Sequence, residues 1–458
     1  MAKKQDENKN LLVYKFHCKD EKINQYFVEQ CKIATKLYNQ TLYYLNQYYK
    51  ENGTMLKYAD VDKIMRDMPN LESDISNYNQ LCSVNAQQCI KKLYQNFQSF
   101  FNSNAEYKKN PQKYNNNKPQ PPKYLKGNDL CNLYYQTSAF SITNNGQIKF
   151  GTSTKVLNKI KNPLVVIPQY EKYCEKIPQQ KINPKAEEKF IQEIEVKVLS
   201  NQTTQIYIKY KVEYPKEKKY SNEYILGCDF GVKKIMTIVS TKPNFHPIFL
   251  QSETAQYNRY NYIKNKRIKK YQHCKDICQK GQYTTKHIKN IYETYNNQIN
   301  DLVHQISSKL IKICLDNNIH HIIIGYNENW KKGANLGRNT NTRFQQFPFE
   351  KLKKCLEYKC KLCGIKVICN EEGYTSKCDG LGLESIEKHE KYIGKRVKRG
   401  LFQSSVGKLI NADVNGALNI MRKVVGDSSV MKIINSGWLF QPIKLYNIYE
   451  LPKVTCII

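Results

Sequence analysis

The spacing of apolar residues changes twice along this chain, and these changes limit the folds that it can adopt. From about residue 21 to 101, apolar and aromatic residues recur every three or four positions, as at Ala34 and Leu37, which predicts amphipathic helices. Residues 130–215 instead alternate apolar and polar positions, which is typical of strands with one buried face. From Tyr224 a strand-then-helix rhythm follows, in which two strands are followed by a basic coil and then a long helix. The pattern predicts a helical part, a β-rich part and an α/β part.

A chain of 458 residues is long enough for two or three domains with cores of their own. We expect boundaries where the apolar spacing changes or where polar Asn- and Pro-rich stretches interrupt it. The predicted parts are a first strand (1–19), a helical part (20–126), a β-rich part that the first strand joins (127–220), an α/β part (221–425) with an insert (377–410), and a C-terminal tail (426–458).

The charge balance indicates a polyanionic partner. Lysine and arginine number 73 against 40 aspartate and glutamate residues, which gives a net charge of +33. A biased genome composition would raise lysine and asparagine together, but it would not keep the acidic residues this scarce. Because basic side chains placed on phosphates release condensed counterions, an excess of this size favours binding to nucleic acid.

The sequence gives no sign of a membrane span or of secretion. No run of eighteen apolar residues is present, whereas a membrane-spanning helix needs about that many. Met1–Lys9 is polar and charged, unlike a signal peptide. The 16 cysteines have no framework spacing, which indicates free thiols in a reducing compartment. We therefore expect the cytoplasm and nucleoid of a bacterium or the nucleus of a eukaryote.

Carboxylates lie at the ends of several predicted elements. Asp229 ends an apolar strand, Asp413 opens a helix, and Glu371 and Glu372 end another strand. Each has an ordinary structural alternative, as a turn former or as a helix N-cap. Three carboxylates from separate rigid elements are also the ligands that two-metal cleavage of phosphodiesters requires. Spacing alone does not establish that they converge.

Two segments combine basic side chains with tyrosines, namely Arg259–Lys270 and Lys388–Lys398. Basic groups neutralise phosphates, and tyrosine rings offer stacking surfaces for unpaired bases. A solvated flexible loop is the alternative for the second segment. The candidate nucleic-acid-binding residues are Lys266, Arg267, Lys269, Lys270, Lys395, Arg396, Lys398 and Arg399.

Four blocks between about residues 224 and 425 carry a family resemblance. They read GCDFGVKKIMTIVS, HHIIIGYNENWK, FQQFPFEKLKKCLEYKCKLCGIKVICNEEGYTSK and GKRVKRGLFQSSVGKLINADVNGALNIMRK. In order and spacing they resemble the RuvC motifs of the TnpB/Fanzor family. The members of that family are OrfB-type, transposon-associated proteins related to the type V CRISPR effectors. The resemblance implies an α/β nuclease domain of the RuvC-like (RNase H-fold) class. It also implies a preceding β-barrel wedge domain with an inserted helical recognition domain.

The resemblance further implies an RNA-guided DNA endonuclease. Its cofactors would be a guide RNA and Mg²⁺ or Mn²⁺, and its target would be double-stranded DNA with a short adjacent motif. Two alternatives remain open. One is a nuclease-dead, RNA-guided DNA-binding repressor, and the other is a strand-transfer transposase, which also uses three carboxylates.

Asp229 and Asp413 match the first and last catalytic and metal-binding carboxylates of that family. The middle strand of the family usually ends in glutamate, whereas this chain has Gly325. The resemblance implies a glutamate moved to the neighbouring strand, and its place before the Tyr-Thr-Ser step favours Glu372. Glu371 is the fallback. Side chains alternate along a strand, and because both faces of this strand carry apolar groups, alternation does not show which of the two glutamates faces the metal site.

A zinc ribbon usually interrupts this region in the family. Here 377–410 contains only Cys378, and the Cys360-Lys-Leu-Cys363 knuckle falls in a strongly helical segment. A structural zinc site needs four converging ligands. We therefore expect an insert without bound zinc.

Overall fold

The chain divides into two compact units, 1–212 and 213–458, in this computed structural model. Within these units the structure describes residues 11–69, 74–114, 117–127, 129–143, 145–156, 160–168, 191–199, 202–212, 214–215, 224–231, 234–278, 285–326 and 347–445.

Three helices follow the first strand of the first unit. Helix α1 begins after Asp20, whose side chain accepts a hydrogen bond from the Ile23 amide, and it ends at Gly53 in the left-handed conformation. Both are common helix-end arrangements, because they satisfy backbone groups that the helix leaves unpaired. The helices are α1 (Glu21–Asn52), α2 (Tyr58–Asp67) and α3 (Ser83–Lys109), followed by a 3₁₀ turn at Pro111–Tyr114.

The described strands of this unit form two antiparallel sheets. The four-stranded sheet has the order β1 (Leu11–His17), β7 (Thr204–Lys211), β6 (Ile191–Val198), β2 (Leu133–Gln136). The three-stranded sheet has the order β3 (Phe140–Ile142), β4 (Gln147–Phe150), β5 (Leu164–Val166). The first strand of the chain therefore joins the β-rich part, although the helices separate them in sequence. No described ladder joins the two sheets into a closed barrel.

Helices and sheets of the first unit share one core. The ring of Phe27 on α1 packs edge-on against Phe150 of β4 with centroids 5.1 Å apart. Tyr135 of β2 reaches the same Phe150 ring at 4.8 Å. All three side chains belong to a single buried cluster. The apolar spacing separates a helical part from a β-rich part, but in the structure the two parts contribute side chains to the same core.

A six-stranded mixed sheet organises the second unit. Its order is β12 (Lys366–Asn370), β11 (Ile319–Gly325), β8 (Tyr224–Asp229), β9 (Thr237–Ser240), β10 (Ile248–Leu250), β16 (Ile443–Leu445). Strands β8, β11 and β12 run parallel, whereas β9 is antiparallel to both of its neighbours. The carboxyl ends of β8, β11 and β12 therefore meet at one edge of the sheet.

Helices cover both faces of this sheet. Ile322 and Ile324 of β11 join the core formed with α5 (Lys286–Asp316) and α6 (Phe349–Leu362). Ile323 between them joins the core formed with α7 (Ala412–Val425). This alternation follows from the two-residue period of a strand. The helices are α4 (Gln251–Cys278), α5 (Lys286–Asp316), α6 (Phe349–Leu362), α7 (Ala412–Val425) and the short α8 (Met431–Ile434). Within the described part of the chain, no helix has the length and hydropathy that crossing a membrane requires.

The basic segment 259–270 belongs to helix α4, whereas its polar sequence predicted a coil. Its buried face is polar, which hides the helical period. Asn261 and Lys264 are buried, the Lys264 ammonium lies 4.0 Å from the centre of the Tyr295 ring, and the Tyr295 hydroxyl donates to Asn261 Oδ1 at 2.8 Å. Near the start of α4, Glu253 forms a buried ion pair with Lys309 at 2.8 Å.

The described segment after α7 is packed into the core of the second unit, although its sequence shows no clear pattern. Ile433, Ile434 and Leu439 are buried in the same core as α7. Strand β16 extends the six-stranded sheet by pairing parallel to β10. Residues 446–458 of the predicted tail lie outside the described residues.

Candidate active site

Asp229 is the last residue of β8, where helix α7 approaches the strand closely. A β-carbon added to Gly416 of α7 would lie 3.1 Å from Asp229 Oδ2, and one added to Gly227 would lie 2.7 Å from the Ala417 carbonyl oxygen. Glycine at both positions lets the strand end and the helix meet. Burial raises the pKa of Asp229 well above its usual value, and the negative charges of Glu372 and Asp413 raise it further.

Asp413 lies in the first turn of α7 but does not cap the helix. The N-cap is Asn411, whose side-chain oxygen accepts hydrogen bonds from the Asp413 amide at 3.0 Å and the Val414 amide at 3.4 Å. The Asp413 carboxylate is therefore not needed as a cap, which was its ordinary structural alternative. Its Oδ2 atom pairs with Lys234 Nζ at 2.9 Å.

Glu372 follows β12, and its side chain reaches over the end of β11. A β-carbon on Gly325 would lie 2.5 Å from Glu372 Oε1 and 2.6 Å from Glu372 Cγ. The carboxylate therefore fills the space that a side chain at position 325 would occupy. Burial raises the pKa of Glu372 to about 7.

Glu371 is placed differently. It is exposed, and its carbonyl oxygen accepts a hydrogen bond from Lys423 Nζ at 3.0 Å. The negative charge of Glu372, in contrast, raises the pKa of Asp229. The structure thus brings Glu372, Asp229 and Asp413 into one electrostatic neighbourhood and leaves Glu371 facing solvent.

The three carboxylates repel one another, and two basic residues oppose that repulsion. The positive charges of Arg396 and Lys234 lower the pKa of Asp229, although by less than burial and the neighbouring carboxylates raise it. Among the described residues, no group of three or more histidine, cysteine, aspartate or glutamate side chains stands ready to hold a metal ion. The carboxylates would have to draw closer to share one.

The predicted basic residues form two exposed sets. Lys266, Arg267, Lys269 and Lys270 are exposed on α4. Tyr262 on the same helix is 66% exposed, and the Lys266 ammonium lies 6.0 Å from the centre of its ring. This stretch therefore offers both charge and an aromatic face.

The second set lies on a strand rather than in a flexible loop. Lys395, Arg396 and Lys398 belong to β13 (Lys395–Lys398), with Arg399 directly after it, and all four are exposed. Strand β13 pairs with β14 (Leu401–Gln403), which pairs with β15 (Leu409–Asn411). The Ala412 amide at the start of α7 donates to the Gly400 carbonyl at 3.1 Å, so this sheet lies beside the turn that carries Asp413. In agreement with this position, the positive charge of Arg396 lowers the pKa of Asp229.

Buried hydrogen bonds hold the insert 377–410 in place. Asp379 is fully buried, and its carboxylate accepts five hydrogen bonds, from the amides of Leu381, Gly382 and Ser405 and from the hydroxyls of Ser404 and Ser405. The side chain of Asn415 on α7 donates a hydrogen bond to the Cys378 carbonyl and accepts one from the Gly380 amide, each at 2.9 Å.

The thiols near this insert are dispersed. The buried Cys378 thiol donates to the Glu387 carbonyl at 3.7 Å. Cys360 is buried inside α6, and Cys363 follows the end of that helix. The absence of bound zinc stays a prediction.

Sequence reasoning missed three features of this region. Lys234 lies five residues after Asp229 in the same motif, and its basic charge was a signal that could have been used. Gly416 marks the close approach of α7, which only tertiary structure reveals. Asp379 receives donors from residues 25 and 26 positions away, which no local pattern indicates.

Two family models match the chain in sequence order. The model OrfB_IS605, described as a probable transposase, matches residues 207–331. The model of the Cas12f1-like TNB domain matches residues 349–420. Together they span both sides of the proposed site, with Asp229 in the first and Glu372 and Asp413 in the second. A search of the curated proteins finds no match.

The chain is also similar to solved structures at low sequence identity. A cryo-EM structure of a Cas12f1–sgRNA–target DNA complex matches with a TM-score of 0.50 and 16% identity, over 88% of this chain and 83% of that one. The mini-RNA-guided endonuclease Cas_phi3 gives 0.45 and 12%, over 91% and 93%. C2c1 of Alicyclobacillus acidoterrestris with single-guide RNA gives 0.42 and 10%, over 88% and 70%. The fold comparison rests on the first.

The structural match shows that this chain has a fold similar to that of the Cas12f1 protein. The two family-model matches support the TnpB/type V effector family for residues 207–331 and 349–420. The family resemblance of the four sequence blocks is thereby confirmed.

Proposed function

We propose that this protein is an RNA-guided DNA endonuclease that hydrolyses phosphodiesters in a RuvC-like domain. The observation that carries the proposal is the convergence of Asp229, Glu372 and Asp413, together with the position of the Glu372 carboxylate over Gly325. The matches to the OrfB_IS605 and Cas12f1-like TNB family models support a nuclease of this type.

The three side chains fit a hard divalent cation. Carboxylate oxygens are the ligands that Mg²⁺ and Mn²⁺ prefer. After burial, the negative charges of Glu372 and Asp413 raise the pKa of Asp229, and a cation between the three carboxylates would relieve this repulsion. Asp229, Glu372 and Asp413 would hold the ions, with Glu371 as the fallback for Glu372. When bound, such ions polarise the phosphate and activate water for in-line displacement.

The remaining residues of the site act on the nucleic acid. Arg396 projects from the exposed strand β13 near the carboxylates, where its guanidinium can pair with a phosphate and orient the strand for cutting. The basic surface of α4 would hold a phosphate backbone, with Tyr262 as a stacking surface. Neither set reads base sequence, which the proposal assigns to the guide RNA.

The partners follow from the relatives. The solved structures with similar folds are complexes with guide RNA, and one also holds target DNA. We extend this to a guide RNA and to double-stranded DNA with a short adjacent motif. The OrfB_IS605 match supports an association with a transposable element. The net charge of +33 suits a protein that binds both nucleic acids.

Gly325 favours one competing function, an RNA-guided repressor that does not cut. Its test is shared with that of the proposal. The purified protein should carry RNA, which is sequenced and used to design a duplex library with randomised flanks. With Mg²⁺ or Mn²⁺ we expect cut duplexes with free ends at guide-matched sites. Guide-dependent binding without cutting would favour the repressor. DNA strands joined to one another would favour a transposase. Protein that purifies without RNA would contradict every RNA-guided function.

A further inference from the structure

Lys234 is in direct contact with one of the proposed metal ligands. Its Nζ atom lies 2.9 Å from Asp413 Oδ2 and 3.4 Å from Asn411 Oδ1. The same ammonium lies 3.5 Å from the centre of the Phe249 ring, where cation–π attraction adds to the hold. Contacts from β10 and from the start of α7 therefore fix this charge at the carboxylates.

The surroundings of a helix start do not favour a lysine. The amino end of α7 carries a partial positive charge, and the Lys234 side chain is only 18% exposed. The negative charges of two carboxylates compensate for this unfavourable setting of the Lys234 ammonium. Asp413 pairs with the ammonium directly, and Asp229 also interacts with it, since the positive charge of Lys234 lowers the Asp229 pKa. Lys234 thus occupies a place that suits a cation.

We propose that Lys234 is a resident counter-cation that holds Asp413 and competes with the divalent ion for this carboxylate. The inference rests on the proposed function, because it takes Asp413 as a metal ligand. An oxygen bonded to an ammonium must release it to coordinate an ion, and the two positive charges repel at short range. The lysine therefore weakens metal binding relative to the three carboxylates alone.

The test measures Mn²⁺ affinity of the full chain by electron paramagnetic resonance at low salt. Lys234→Met removes the charge and keeps an unbranched side chain against Phe249. We expect it to lower the Kd for Mn²⁺ about tenfold, since a unit charge a few ångströms from a divalent ion has an effect of at least that order. Lys234→Arg retains the charge and should keep the wild-type Kd. Lys242→Met is the matched control, because Lys242 instead donates to Asn317 Oδ1.

An unchanged or higher Kd in Lys234→Met overturns the inference. In an Asp413→Asn background the same substitution should bring little gain, and an equal gain would show that overall charge, rather than competition for Asp413, controls affinity. Mn²⁺ binding that survives Asp229→Asn would overturn the proposed metal centre itself, and the inference with it. Thermal unfolding verifies each variant, with Lys234→Gln replacing the methionine variant if that one does not fold.

Discussion

Asp229 and Asp379 are two aspartates of the same unit, and burial disfavours the negative charge of both. Burial raises the pKa of Asp229, and Glu372 and Asp413 raise it further. Burial would also raise the pKa of Asp379, but hydrogen bonds from Ser405 and Ser404 outweigh it and lower this pKa. One carboxylate stands among charges of its own sign, whereas the other accepts five hydrogen bonds.

The contrast separates a structural role from a chemical one. A buried carboxylate whose acceptor sites are filled stabilises the charged form and the fold around it. A carboxylate beside two others gains nothing for the fold from its charge, so its position calls for a cation or a substrate. Substitutions should therefore affect stability at Asp379 and activity at Asp229 and its neighbours.

The largest expected effect is on cutting by Asp413→Asn. We expect cleavage in Mg²⁺ to fall by about three orders of magnitude or more, because a ligand that stabilises transition-state charge is lost. RNA binding should survive, since the carboxylate carries no attraction for phosphate. Gel assays of cut DNA and of bound guide measure both. Asp301→Asn, on the exposed side of α5, is the control and should cut normally.

Glu372→Gln should abolish cutting almost as fully, whereas Glu371→Gln should weaken it only a few-fold by lowering local charge. Cleavage rates of the two variants under one Mg²⁺ concentration decide the assignment. The reverse ranking would move the ligand to Glu371, and full activity in both would leave the role of Glu372 without support.

A swap tests the space over Gly325. A β-carbon there would lie 2.5 Å from Glu372 Oε1 and 2.5 Å from Ile420 Cδ1, so a new side chain fits only if residue 372 is shortened. We therefore expect Gly325→Glu to restore part of the cutting lost in Glu372→Ala but none of that lost in Glu372→Gln. Rescue in the glutamine background alone would contradict this packing. Cleavage of the same duplex by the single and double variants is the measurement.

Asp379→Asn should act on the fold. An amide at this position turns one acceptor into a donor facing the Ser405 amide and the neighbouring hydroxyls, so about 2–4 kcal/mol of unfolding free energy should be lost. Denaturant unfolding with Asp301→Asn as the exposed control checks this. A loss as small as that of the control would mean that the hydrogen bonds around Asp379 do not hold the insert.

The smallest expected effect concerns the basic surface of α4. Changing Lys266, Arg267, Lys269 and Lys270 to glutamine should reduce the slope of log affinity against log salt by about 3, since each phosphate contact contributes roughly 0.7–0.9. The exposed lysines Lys432 and Lys444, changed in the same way, serve as the charge control. Equal slopes in both variants would show that the α4 surface makes no special contact.

The sequence indicated the positions of the carboxylates better than their surroundings. Asp229 and Asp413 could be placed because strand ends and helix starts leave local apolar and capping signals. The choice between Glu371 and Glu372 could not be made from side-chain alternation, because it depends on β12 lying beside Gly325 of β11. Helix α4 was missed because its buried positions, such as Asn261, are polar.

The measurement that tests the central claim most directly compares Asp229→Asn and Asp379→Asn in parallel, by cutting of a guide-matched duplex and by thermal unfolding. We predict a crossed result. Asp229→Asn should keep or raise the melting temperature and lose cutting, because removing its charge relieves repulsion. Asp379→Asn should melt several degrees lower and still cut below that temperature. Cutting by Asp229→Asn at the wild-type rate would contradict the assignment of this site as the nuclease centre.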